Sequence, residues 1–151
     1  MGSRRYYSRA TPLARQALVL AMECAHAQGS VDVTLGHLLV ALHGLSGGAA
    51  RTALEQVDAR FDQDLPAPPV ERTDEELMDQ PPYAVRYGNE LLELLDRVAA
   101  EASGPIGTAE LLGGLLDQDA LYDGGLAEHF GIDARRVQAM IPTLVDDDLP
   151  D

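Results

Sequence analysis

The sequence predicts an all-α protein in which one helical unit is written twice and the two copies pack as one domain. Three observations lead there. Residues 37–57 read HLLVALHGLSGGAARTALEQV and residues 110–130 read ELLGGLLDQDALYDGGLAEHF. Both open on a leucine-rich run, break at a glycine pair and resume as a second short apolar run, and their first residues lie 73 positions apart. Leucine and alanine recur at helical spacing through most of the remaining chain. No run of alternating β-branched residues is long enough for a useful strand.

The first helix starts at Thr11-Pro12, with Thr as N-cap and Pro at the first helical position, where its missing N–H does no harm. Leu13, Ala17, Leu20, Ala21 and Cys24 follow helical spacing, and Gly29 stops the run as a C-terminal cap. A second helix starts near Thr34 with Leu35, Leu38, Leu39 and Leu42 on one side, and ends before Gly47-Gly48. A third, short helix covers Ala49 to Val57. Residues 62–82, DQDLPAPPVERTDEELMDQPP, hold five of the nine prolines among many acids. Such a stretch cannot bury enough surface to offset its ordering entropy and reads as a linker, with at most one helical turn at Asp74–Met78.

The plan then repeats. Tyr87, Leu91, Leu94, Leu95, Val98 and Ala102 give a long amphipathic helix, broken by Gly104-Pro105. Thr108 is placed to cap a helix carrying Leu111, Leu112, Leu115 and Leu116. Gly124-Gly125 and Gly131 bracket a short helix. Asp133 caps a last one bearing Val137, Met140, Ile141 and Leu144, which Pro142 should kink or end. The expected organisation is an N-terminal arm at 1–10, repeat 1 at 11–61, the linker at 62–82, repeat 2 at 83–145 and an acidic tail at 146–151. Neither unit is large enough to bury its apolar faces alone, so the two should share one core, most simply as a pseudo-twofold pair.

Composition narrows the function. A chain of 151 residues with 46% apolar content can fold without disulfides or metals. Aromatics are only 5% and Trp is absent, so the core is built from Leu, Ala, Val and Ile. The formal net charge is −14, from 25 acidic against 11 basic residues. That field repels phosphate backbones and anionic lipid, which excludes nucleic acid and membrane surfaces as expected partners and favours a basic one. One cysteine, Cys24, permits no internal disulfide. No stretch approaches the roughly 20 apolar residues of a membrane span. The start, MGSRRYYSR, has no apolar segment after it of the kind a signal peptide carries. A soluble, cytoplasmic monomer is the expectation.

Residues TPLARQALVLAMECAHAQGSVDVTLGHLLVAL, then GGAARTAL, and later PIGTAELLGGLL with the helix before it, carry a resemblance. They resemble the Clp N-terminal repeat domain, the substrate- and adaptor-binding module at the front of bacterial Clp/Hsp100 unfoldases. As an expected stand-alone domain, the chain resembles the N-domain of actinobacterial ClpC-type unfoldases. Its typical repeat runs from an aromatic through T-P-x-A-x-x-x-L-x-L-A to G-T-E-H-L-L-x-G-L, a glycine break and A-A-x-x-L. The match spans about residues 6–145 and is tighter in the first repeat. It implies an all-α double Clp-N motif of two pseudo-twofold-related repeats that binds protein or peptide without catalysis and needs no cofactor. The implied partners are Clp unfoldase or protease components, their substrates, or a cyclic peptide. Without an ATPase the chain would act as adaptor, competitor or decoy; the alternative is a small-molecule binder that sequesters cyclic peptides.

No G-x-x-x-x-G-K-S/T motif occurs in the chain, so the expectation is a free-standing N-domain or a fragment of a longer protein. The resemblance assigns a groove between the repeats to Tyr7 and Tyr83, with Arg15 flanking it. The acids of the family's G-T-E-H segments, which in some members receive phosphoarginine, are Gly36 and Ala109 here. Phosphoarginine should therefore bind poorly unless Glu110, one place later, substitutes. No constellation supports an enzyme. Cys24 and His26 are two apart on a helix and do not face each other. His37 and His43 lie on different faces and no zinc-type spacing is present. His37 is expected to hold the start of its helix. Asp117–Glu128 has acids where a calcium loop would, but Tyr122 stands where that loop needs Gly.

Overall fold

A computed structural model describes residues 9–30, 32–45, 47–57, 86–101, 104–121 and 125–143. The expected linker 62–82, the turn at 74–78, the tail 146–151, all but the last two residues of the arm, and the helix positions Ala102 and Leu144 lie outside the described residues. In chain order the elements are α1 (Pro12–Gln28), β1 (Asp32–Val33), α2 (Leu35–Gly44), α3 (Ala49–Gln56), β2 (Arg86–Tyr87), α4 (Asn89–Glu101), α5 (Thr108–Leu121), α6 (Gly125–His129) and α7 (Ala134–Met140). A 3₁₀ turn, Ile141–Thr143, follows α7 at the position where Pro142 ends the regular helix.

The local start and stop signals act as the chemistry of their residues requires. Thr11 Oγ1 accepts the Ala14 N–H at 3.2 Å, with Pro12 at the first helical position. Gly29 sits at φ 77°, and the Gly29 and Ser30 N–H groups bond back to the carbonyls of His26 and Ala25, a Schellman closure. Gly131, at φ 65°, closes α6 the same way through Glu128 and Ala127. Asp133 caps α7 by accepting the Arg136 N–H.

Two helices organise the core. In α2, Leu35 through Leu39, Ala41 and Leu42 are all buried. In α5, Thr108, Ala109, Leu111, Leu112, Leu115, Leu116, Gln118 and Asp119 are buried. A helix buried on nearly every side must be surrounded. Accordingly α5 packs on α1, α2 and α3 from one repeat and on α4, α6 and α7 from its own. Close approach to α4 depends on Gly114, where an added Cβ would stand 2.6 Å from Val98 Cγ2.

The repeats are also tied by backbone. β1 and β2 pair in parallel, Asp32 with Arg86 and Val33 with Tyr87. A second parallel bridge joins Ala10 to Ile106. In each, the residue just before a repeat's long helix donates to the residue two before the other repeat's leucine helix: Gly88 N–H to the Val33 carbonyl, and Thr11 N–H to that of Ile106, both at 2.9 Å. Val33 and Ile106 are fully buried and separated by the same 73 positions as the two leucine stretches. The reciprocity is consistent with two copies packed about an approximate twofold axis. These short pairings are strands the alternation pattern had no length to reveal.

Two expectations need correction. Tyr87 belongs to β2, and α4 begins after it at Asn89. Thr108 is the first residue of α5 rather than its cap. Its hydroxyl instead accepts the Ala50 N–H at 3.2 Å, capping α3 of the other repeat, whose own cap position is Gly48 with no side chain to offer. Gly48 is at φ 101°, and an added Cβ there would lie 2.9 Å from Thr108 Oγ1. Arg9 makes a matching tie: its guanidinium donates to the carbonyls of Ala99 and Gly104 at the end of α4, at 2.7 and 2.9 Å.

The starts of the two leucine helices share one feature, an acceptor returned from the third helical residue. Thr34 Oγ1 accepts the His37 N–H while His37 Nδ1 accepts the Thr34 N–H at 2.9 Å, a capping box with His in the usual Glu or Gln position. Glu110, 73 positions on, does the same job: its Oε2 accepts the Gly107 N–H at 3.0 Å. His37 is 1% exposed, and its Nε2 lies 2.5 Å from Gln28 Oε1. Nδ1 accepting and Nε2 donating is the neutral ring, and burial lowers its pKa from 6.5 to about 4.

Three outcomes are expected. Gly114→Ala should destabilise by ~1–3 kcal/mol despite alanine's better helix propensity, because Val98 must move. Gly113→Ala, whose nearest atoms are 3.4 and 3.5 Å away, should be neutral or stabilising; chemical denaturation of both variants decides. Thr108→Val should cost ~1–3 kcal/mol by leaving the buried Ala50 N–H unpaired, with Thr108→Ser near wild type. His37 holds its proton less tightly when folded, so its stabilisation is complete above pH 6.5 and is lost as pH falls through about 4. His37→Gln keeps a capping acceptor without titrating, so unfolding free energy measured across that range should fall less steeply than in wild type. Parallel profiles would rule this out.

Candidate binding site at the junction of the repeats

The β1–β2 pairing brings the end of one connection against the start of α4. There the surface dips into an open depression of about 490 Å³, lined by Asp32, Tyr87, Gly88, Asn89 and Leu92. Each lining residue is placed by the junction. Asp32 and Tyr87 belong to the paired strands, and Tyr87 is partly buried against the core. Gly88 lets α4 start close to β1: an added Cβ would stand 3.2 Å from the Val33 carbonyl oxygen. Its own carbonyl accepts the Leu92 N–H at 3.0 Å, the first turn of α4. That turn leaves Leu92 36% exposed, one of the few large apolar side chains on the described surface, together with Val19 and Leu121.

The residues expected to form a groove are distributed as follows. Tyr7 and Tyr83 lie outside the described residues. Arg15 is exposed on α1, its Nε donating to the Ala10 carbonyl at 3.1 Å beside the Ala10–Ile106 bridge. It stands four residues after Thr11, as Leu92 stands four after Gly88, so the two occupy equivalent places in the two repeats. Glu110 is exposed at the start of α5, with one carboxylate oxygen on the Gly107 N–H. Neither Arg15 nor Glu110 lines the depression. Gly36 is buried in α2, and Ala109 is 7% exposed.

Sequence reasoning missed Tyr87 as a surface residue, because its four-residue spacing to Leu91 fits a helix face. The glycine directly after it was the available signal: it marks the place where α4 starts, as Thr11 does for α1.

The remaining reactive groups are structural. Cys24 is partly buried, and its thiol is pushed up by burial and then by the neighbouring Glu23 carboxylate, which keeps it a poor nucleophile. Asp117 to Leu121 are helical, so the calcium-like stretch does not begin as a loop. Its Asp119 accepts the Leu126 and Ala127 N–H groups at 3.1 and 3.0 Å and caps α6. Among the described residues no group of His, Cys, Asp and Glu could hold a metal ion, and no helix is long and apolar enough to cross a membrane.

A solved structure with this fold is the N-terminal domain of the caseinolytic protease-associated chaperone ClpD from Arabidopsis thaliana. The likeness has a TM-score of 0.64 at 15% sequence identity, covering 90% of this chain and 94% of that one. A search of curated proteins found no match. The profile of the family described as the Clp repeat (R) N-terminal domain matches residues 9–124, well over half of the sequence. Sequence profile and fold agree, and the chain belongs to the Clp repeat N-terminal domain family.

Proposed function

We propose that this chain is a non-catalytic protein- or peptide-binding domain in the setting of Clp-dependent proteolysis, acting as adaptor, competitor or decoy. Domains of this family bind protein partners and substrates of Clp systems. The observation that carries the reading for this chain is the depression at the repeat junction, where Tyr87 and the exposed Leu92 flank a surface built by both repeats. An apolar anchor set in a partly desolvated hollow is the usual source of binding energy at such surfaces. The hollow also falls within the size range of small-molecule sites, so a cyclic peptide is the second ligand class to try. Beside this depression we retain the proposal of a groove contacted by Tyr7 and Tyr83 and flanked by Arg15, with Glu110 as the acid open to a guanidinium.

The test is direct. A fluorescently labelled peptide with one central leucine should bind the wild-type chain. Leu92→Ala and Tyr87→Ala should each weaken it about tenfold, with unchanged circular dichroism. Unchanged affinity in both variants would place binding elsewhere.

A further inference from the structure

Resting on that binding role, we infer that the depression and the α4 surface leading from it dock a basic peptide segment carrying one apolar anchor. On α4, Asn89, Leu92, Glu93 and Asp96 stand at i, i+3, i+4 and i+7, and all four are exposed. That spacing puts them on one face of the helix, opposite Leu91, Leu94, Leu95, Val98 and Ala99, which are buried. The face therefore runs from the depression as an apolar side chain followed by carboxylates. Gln118 Nε2 donates to Glu93 at 2.9 Å and holds that carboxylate in place along the row. Asp32 adds a further acid to the lining of the depression. Among the described side chains, the cation bordering this row is Arg97, next to Asp96.

This arrangement selects its partner by charge. Lysine and arginine can lay their aliphatic stems along Leu92 and the Tyr87 ring while their heads reach the carboxylates. A wholly apolar segment would strip water from those carboxylates with no compensating bond. An acidic segment meets like charge locally and a chain of net charge −14 at longer range.

The experiment uses the full chain and three labelled peptides of equal length with the same central leucine, flanked by lysine and arginine, by serine and glutamine, or by glutamate. Fluorescence anisotropy should show the basic peptide binding about tenfold tighter than the neutral one and tighter still than the acidic one, with the gap closing as salt is added. Asp96→Lys, at an exposed site, should remove most of the basic peptide's advantage, and Leu92→Ala should weaken the basic and neutral peptides alike. If the neutral peptide binds as tightly as the basic one and Leu92→Ala still weakens it, the charge selection is wrong while the binding role stands. Basic-peptide binding that ignores both substitutions overturns this location. Binding of none of the three overturns both.

Discussion

A leucine helix that is apolar on nearly every side is the constraint from which this structure follows. α5 cannot bury itself against one neighbour, and neither can α2. Each repeat has too few other helices to enclose its own, so the surrounding layer is drawn from both. Gly114 supplies close approach on one side of α5, and the Thr108 hydroxyl makes its first turn part of the other repeat's helix start. The shared core is thus a consequence of composition: with few aromatics and no Trp, volume must be filled by many small side chains at short interhelical distance.

The backbone pairings are the second tie. Ala10 with Ile106 and Val33 with Tyr87 satisfy polar groups that would otherwise be buried without partners, at positions where Val33 and Ile106 are fully covered. The reciprocal use of the same four places is consistent with two diverged copies. Thr34 with His37 and Gly107 with Glu110 are chemically unlike pairs, yet both return an acceptor from the third helical residue to the N-terminal N–H. What is kept is the hydrogen bond.

The proposed binding surface sits at the seam because both repeats terminate elements there. The starts of helices cannot be covered completely by their own repeat, which leaves a hollow beside the paired strands with Leu92 at its edge. Arg15 and Leu92, in equivalent places, make the two ends of the seam chemically different: one cationic and folded onto a carbonyl, the other apolar beside carboxylates. A duplicated scaffold can in this way carry one asymmetric binding surface.

By itself the sequence determined the helices, their order and most of their ends. Thr11-Pro12, Thr34, Asp133 and the glycines at 29 and 131 act on N–H and carbonyl groups within a few residues, so their effect is local and readable. The repeated spacing was equally legible, and the reciprocal pairings are consistent with the duplication it suggests; the shared core was legible too, since neither half could enclose its own leucines. Tertiary structure alone decided which backbones pair, because N–H and carbonyl groups carry no residue identity. It alone decided that the Thr108 hydroxyl caps α3, since a threonine at a helix start can serve either its own turn or a neighbour's. And it alone decided that Tyr87 lies at the junction, because i to i+4 spacing holds equally for a helix face and for a residue just outside it until packing places the chain.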